Sequence, residues 1–270
     1  MTKRTARRRP PKVQIRRPRK KRASDSEGYW DVAHRPLQCF VFLLPMVLAY
    51  EVGMALTHRG IPIDARPDLA AKQLLQWFFS LFGIEGLYDL FGVRGLYLPG
   101  IALLVVLLVW QMASNYPWKV AWNALLGMAG ESVLLALPVL LLNELIHDIS
   151  PLQGVVKAGT STFDNLLLSV GAGIYEELVF RLIVISLLTL LLIDIGRVKE
   201  VPGVALAVII SSLMFAAHHY PPVGSDIWST SEFAFRFAAG GYLAAVFVLR
   251  GFGLAVGCHV IYDVIAFAIP

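Results

Sequence analysis

The chain has 270 residues, of which 57% are hydrophobic and 16% charged, where soluble domains average about 45–50% and about 25%; an ordinary water-soluble domain is excluded. The formal net charge is +5, yet residues 1–22 hold 12 of the 24 Lys and Arg and none of the 19 Asp and Glu. The rest carries 12 bases against 19 acids, a net of −7. Basicity is therefore a property of a tail, and a nucleic-acid surface, which needs bases through the folded part, is not indicated.

Residues 1–35, rich in Arg, Lys and Pro, have too little apolar content to offset the entropy of ordering. They predict a disordered cytoplasmic tail able to attract anionic lipid headgroups. No signal-peptide pattern precedes the first apolar run, which reads as a retained anchor. Apolar stretches of membrane-spanning length then recur at 37–56, 95–113, 120–142, 164–193, 201–219, 231–249 and 251–269, since roughly 20 helical residues cover a hydrocarbon core of about 30 Å. The stretch 74–91 is amphipathic and broken by Gly83, Glu85, Gly86 and Asp89; it either lies in the interface or forms an eighth span. With seven spans and the tail inside, Lys119, Arg197, Lys199 and Arg250 all fall on the cytoplasmic side, as the positive-inside rule prefers. The expected fold class is an all-α polytopic helix bundle of about seven or eight spans, an integral membrane protein with a cytoplasmic N-terminus. Cys39 and Cys258 lie in or beside apolar runs and indicate no disulfide framework.

Charged side chains inside spans cost a few kcal/mol or more and mark protein interiors or water-filled cavities. Glu51 and Glu131 are single, without a charged companion nearby in sequence, and read as interhelical hydrogen-bonding or interfacial groups. Glu232 and Arg236, four apart, read as an interfacial ion pair. In the segment from Gly173 to Arg181, Glu177 and Arg181 are four apart in the order that suits an ion pair. Glu176, rotated about 100° away, faces Ala172, Gly173 and Phe180. Glu177 thus reads as neutralised structure and Glu176 as the carboxylate left for chemistry. Phe215 and His219 are four apart where Pro221 and Pro222 stop a helix, and His218 points elsewhere. His259 and Asp263 share one face of the last helix, where the acid can fix the imidazole's tautomer or join it on a metal.

Glu-Glu-x-x-x-Arg at 176–181, Phe-x-x-x-His at 215–219 and His-x-x-x-Asp at 259–263, in that order on separate membrane helices, resemble the CPBP family of intramembrane proteases. That family includes the CAAX prenyl endopeptidases of the Ras-converting type and bacterial relatives. The resemblance covers roughly residues 163–269, which makes 36–162 a set of N-terminal transmembrane helices and 163–270 the catalytic core. It implies peptide-bond hydrolysis on a membrane-anchored or lipid-associated protein or peptide, with Glu176 and His219 activating water and His259 and residue 263 stabilising the oxyanion. Where many members have Asn, this chain has Asp263, and an ionised Asp cannot donate to an oxyanion. It must be protonated, or orient His259, or bind a metal. The cofactor is thus either none or zinc, for which Glu176, His219, His259 and Asp263 form a plausible set. A catalytically silent protein of the same fold, serving toxin immunity or scaffolding, and a proton- or metal-coupled transporter are the alternatives.

Overall fold

The computed structural model describes residues 28–57, 80, 98–147, 162–224 and 226–268. Within them the protein is entirely helical. A short α1 (Tyr29–Ala33) leads into α2 (Pro36–Thr57), followed by α3 (Leu98–Ala113) and α4 (Trp122–His147). Helix α5 begins as Thr162–Glu177, turns π-helical at Leu178–Ile185 and again at Leu190–Ile195, and runs unbroken to Ile195. Helices α6 (Glu200–Ala217), α7 (Thr230–Arg250) and α8 (Phe252–Asp263) complete the bundle, the last continuing as a π-helical turn over Val264–Ala268.

Five of these helices, α2, α4, α5, α6 and α7, are long and apolar enough to cross a bilayer. The apolar segments Gly100–Ala113 and Phe252–Ala266 are shorter. All seven coincide with the apolar stretches predicted from sequence. Residues 74–91 fall, apart from the helical Ser80, outside the described residues.

Apolar groups are distributed as a lipid solvent demands. Large side chains such as Met112, Leu126, Leu134 and Leu141 stand outward, Leu126 at 74% exposure, where water would penalise them and lipid does not. Helix α8 is the inverse case. From Phe252 to Val260 every residue is buried, so it is apolar on all sides because protein surrounds it on all sides. It packs against α4, α5 and α7 and carries two of the polar residues of interest into the centre.

The helices approach closely because glycines line the contacts, as membrane interfaces generally require. A Cβ on Gly173 of α5 would lie 2.5 Å from Val260 Cγ2 and 2.9 Å from the Val260 backbone nitrogen on α8. One on Gly240 of α7 would lie 2.9 Å from the Phe215 ring on α6. Between α7 and α8 the chain turns on Gly251 at φ 90°, a conformation that a side chain would strain.

One expectation is corrected and two are extended. Composition predicts an unstructured tail through residue 35, but Tyr29–Ala33 form a helix whose Val32 and Ala33 are buried. It is held by a cluster that local composition does not display: Tyr29 Oη donates to Glu131 Oε2 at 2.5 Å, Arg250 donates to both Glu131 oxygens at 2.5 and 2.8 Å, and the Arg250 guanidinium lies 3.5 Å from the Trp30 ring centre. Glu131, read as an interhelical hydrogen-bonding group, is one, and its partners include a base 119 positions away. Arg236 and Glu232 form the expected i,i+4 pair at 3.9 Å, and Arg236 also donates to Asp226 at 2.7 Å, because the loop before α7 folds back over its first turns.

Replacing Gly173 by Ala should destabilise the protein by about 1–3 kcal/mol, the usual cost of overpacking, since the nearest obstacle includes backbone. Gly241→Ala, whose Cβ would meet only Ser212 Oγ at 3.7 Å, should be neutral. Thermal unfolding of both variants in detergent checks this; equal midpoints would mean that α5 and α8 are free to separate.

Candidate active site

The polar residues singled out in sequence converge where α5, α6 and α8 meet. Helix α5 supplies Glu176, Glu177 and Arg181. The Glu177 and Arg181 side chains are fully buried, with Arg181 Nε 3.1 Å from Glu177 Oε2. The guanidinium also donates to the Gly240 carbonyl at 3.2 Å and lies 4.3 Å from the centre of the Phe215 ring. A charge removed from both water and lipid is tolerable only with such multiple compensation. The ion pair expected from the spacing is present.

Glu177 does more than neutralise Arg181. Its second oxygen, Oε1, accepts from His259 Nδ1 at 2.9 Å, which fixes the ring so that Nε2 points at the remaining acids. Nε2 lies 3.6 Å from Asp263 Oδ2 and 3.9 Å from Glu176 Oε2. The four-residue spacing of His259 and Asp263 thus brings them together as expected, but the tautomer-fixing partner is Glu177, on another helix. Nothing in local sequence carries that signal, because the partners are 82 positions apart.

Helix α6 ends at Ala217, and the two histidines follow at once. Both use Nδ1 on the same acceptor, the Phe215 carbonyl, at 2.5 Å for His218 and 3.0 Å for His219. A carbonyl oxygen only accepts, so both rings carry a proton on Nδ1. The rings stack at 3.9 Å between centres, and His218 also rests on Phe180 at 4.8 Å. His218 Nε2 lies 3.5 Å from Glu176 Oε1.

The expectation that His218 points elsewhere is therefore corrected. Helical rotation separates 218 from 219 only while the helix lasts, and here it has already stopped. Glu176, His218 and His219 each offer a ligand atom within 4.8 Å of the others, a nitrogen and oxygen donor set of the kind zinc accepts. Of the four residues that the sequence suggests for a metal, Glu176 and His219 belong to this group; among the described residues His259 and Asp263 do not.

Glu51 is the remaining intramembrane acid. It accepts a hydrogen bond from Tyr175 at 2.5 Å, which ties α2 to α5 immediately before Glu176 and gives it the structural role read from its isolation.

Fold and site together define a multi-pass helical membrane protein with carboxylate and imidazole groups concentrated in an otherwise apolar core. Residues 158–265 match the Rce1-like family model, described as type II CAAX prenyl endopeptidase Rce1-like. The matched segment contains all three motifs, so this part of the chain is similar to that family. Comparison with curated proteins and with solved structures gave no significant match.

Removing one member of the buried pair, by Glu177→Ala or Arg181→Ala, should cost about 3–5 kcal/mol because the partner's charge is left uncompensated. The double replacement Glu177→Leu with Arg181→Met should cost less than the two single changes together. Thermal unfolding of the single and double variants measures the coupling; strict additivity would mean the two side chains act independently.

Proposed function

We propose that the protein is an intramembrane endopeptidase that hydrolyses a peptide bond of a membrane-anchored or lipid-associated protein or peptide. The observation that carries this reading is the convergence of Glu176 with His218 and His219 inside an apolar bundle. Peptide hydrolysis needs one water activated where lipid would otherwise keep the site dry, and an acid facing imidazoles is suited to hold and deprotonate it.

In this reading Glu176 and His219 activate the water. Glu176 is placed for it: its side chain is 16% exposed where Glu177 and Arg181 are sealed. The water adds to the carbonyl carbon, its proton passes to the Glu176 carboxylate, and the same proton serves the departing amine. His259 stabilises the oxyanion, and Asp263 steers His259 rather than donating itself, since an ionised carboxylate only accepts. Glu177 keeps the His259 ring in register from its other nitrogen.

The topology that fits has the N-terminus in the cytoplasm. Helix α1, Glu131 and Arg250 cluster at one end of the bundle, so the basic tail and Arg250 share a side, as the positive-inside rule asks. The tail would meet anionic headgroups there. The site lies toward the other end, where α6 stops and the chain turns into α7.

Glu176→Gln and His219→Ala should each lower cleavage of a co-expressed membrane-anchored reporter by about 10²-fold or more, with unchanged abundance and insertion. Anchor release, followed by gel shift of the reporter, is the measurement. Undiminished release by Glu176→Gln would sink the assignment, and a wild-type chain that releases no reporter from a panel of anchors would favour the catalytically silent alternative.

A further inference from the structure

The two ends of the bundle differ in charge, and contacts between helices fix which loops belong to each. Leu37 N–H donates to Gln111 Oε1 at 3.1 Å and the Gln38 amide donates to the Lys119 carbonyl at 2.8 Å, so the start of α2, the end of α3 and the turn into α4 lie together. His34 Nε2 lies 3.1 Å from the Leu249 carbonyl, which brings the end of α7 to the same level. Helix α5 runs antiparallel to α8: its Glu177 meets His259, its Gly173 meets Val260, and the first part of the helix packs on Val264–Ala268. The turn from α5 into α6 therefore falls on the α1 side. That end carries Arg35, Lys119, Arg197, Lys199 and Arg250, and residues 1–22 with their 12 Lys and Arg precede it. At the opposite end, loop 218–229 has no Lys or Arg and one acid, Asp226, and the neighbouring Arg236 is matched by Asp226 and Glu232. Segments 58–97 and 148–161 together hold five Lys or Arg against five Asp or Glu, so they do not offset the asymmetry. By the positive-inside rule the α1 end faces the cytoplasm and the end with His218 and His219 does not.

Loop 218–229 also marks a depth. Tyr220, Trp228 and Phe233 pack with ring centres 5.0–6.2 Å apart, while Trp228 is 61% exposed and its neighbour Ile227 92%. Amphipathic rings beside paired charges suit the boundary between lipid and water, where Trp and Tyr collect. The histidines adjoin this band directly. Tyr220 follows His219, and the Asp226 N–H donates to the His219 carbonyl at 3.1 Å. Glu176, 3.5 Å from His218 Nε2, is thus within reach of that boundary and not of the cytoplasmic one.

We propose that the site opens to the non-cytoplasmic face and that its substrate is an exported protein or peptide, cut just outside the lipid or helix that anchors it there. This rests on the endopeptidase reading and adds to it the side and depth of the scissile bond. The depth follows from the backbone. A chain extended for hydrolysis leaves its N–H and C=O groups unpaired, which hydrocarbon penalises, whereas water at the boundary satisfies them until the site takes over. The side excludes a chain that stays on the cytoplasmic face, because its anchor would hold the bond at the wrong end of the bundle.

Two cysteine variants read the orientation, since the native Cys39 and Cys258 are buried. In intact cells a membrane-impermeant maleimide should label Ile227→Cys, and it should label Asn115→Cys, exposed in the turn between α3 and α4, only after permeabilisation. The substrate class is read with two reporters that share one anchor and one junction sequence, one displayed on the outer face and one on the cytoplasmic face. The chain should release the outward reporter and leave the inward one attached. Moving the outward junction about 10 residues into a helical anchor, near mid-bilayer, should stop release; undiminished release there overturns the depth. Labelling of Asn115→Cys in intact cells with protection of Ile227→Cys overturns the sidedness, as does release of the inward reporter alone, and the endopeptidase reading survives both results. Release of neither reporter by a chain labelled as expected sinks the endopeptidase reading and the substrate class with it, while the orientation stands.

Discussion

The ion pair between Glu177 and Arg181 is the constraint from which the rest of the site hangs. Both side chains are fully buried, and an unshared charge in that position would cost more than most helix contacts supply. Compensation comes from every neighbouring helix: the Gly240 carbonyl from α7, the Phe215 ring from α6 and His259 from α8. A displacement of any one helix leaves a buried polar group unmatched. The pair therefore selects one arrangement among the many that apolar surfaces alone would allow, since lipid is no less apolar than a neighbouring helix. From this fixed point the reactive groups follow. Glu177 aims His259, and Phe215, held under the Arg181 guanidinium, presents the carbonyl that orients both His218 and His219.

Such an arrangement requires helix axes close enough for short polar side chains to meet. Gly173 lets the backbone of α8 come against α5 three residues before Glu176, and Gly240 lets α7 lie on Phe215 while its own carbonyl reaches Arg181. The small-residue face beside Glu176 is thus a contact surface for α8. Helix packing and the geometry of the site share residues here.

What is legible in the sequence is whatever depends on local period. Seven apolar runs announce the helices, the four-residue spacing announces Glu177 with Arg181 and His259 with Asp263, and the scarcity of other intramembrane charge draws attention to the right helices. What stays hidden depends on contacts between distant segments or on where a helix stops. Glu131 looks solitary because Arg250 is 119 residues away, and α1 looks unstructured because its stability comes from that pair and not from its own composition. Periodicity misplaces His218 because a rotation of about 100° per residue does not extend past Ala217, where the helix ends. Glu177 reads as structural from its tie to Arg181, and its second oxygen, the one that holds His259, can be assigned only with α8 in place.

A gradient of burial runs through the site. The Glu177 and Arg181 pair is sealed at 0% exposure, while Glu176 and His218 keep 16% and 9% of their side-chain surface. In the proposed hydrolysis Glu176 has to meet water, which fits its shallower position beside the sealed Glu177. The placement of His218 and His219 just beyond the end of α6, rather than within it, serves the same need. It brings the imidazoles to the level where the chain leaves the bundle, with Asp226 N–H donating to the His219 carbonyl at 3.1 Å and Arg236 holding Asp226. The loop that closes over the histidines is thereby tied to α7, the helix whose Gly240 carbonyl receives Arg181. Access for water at one end and a sealed charge pair just beneath it follow from the same three helix contacts.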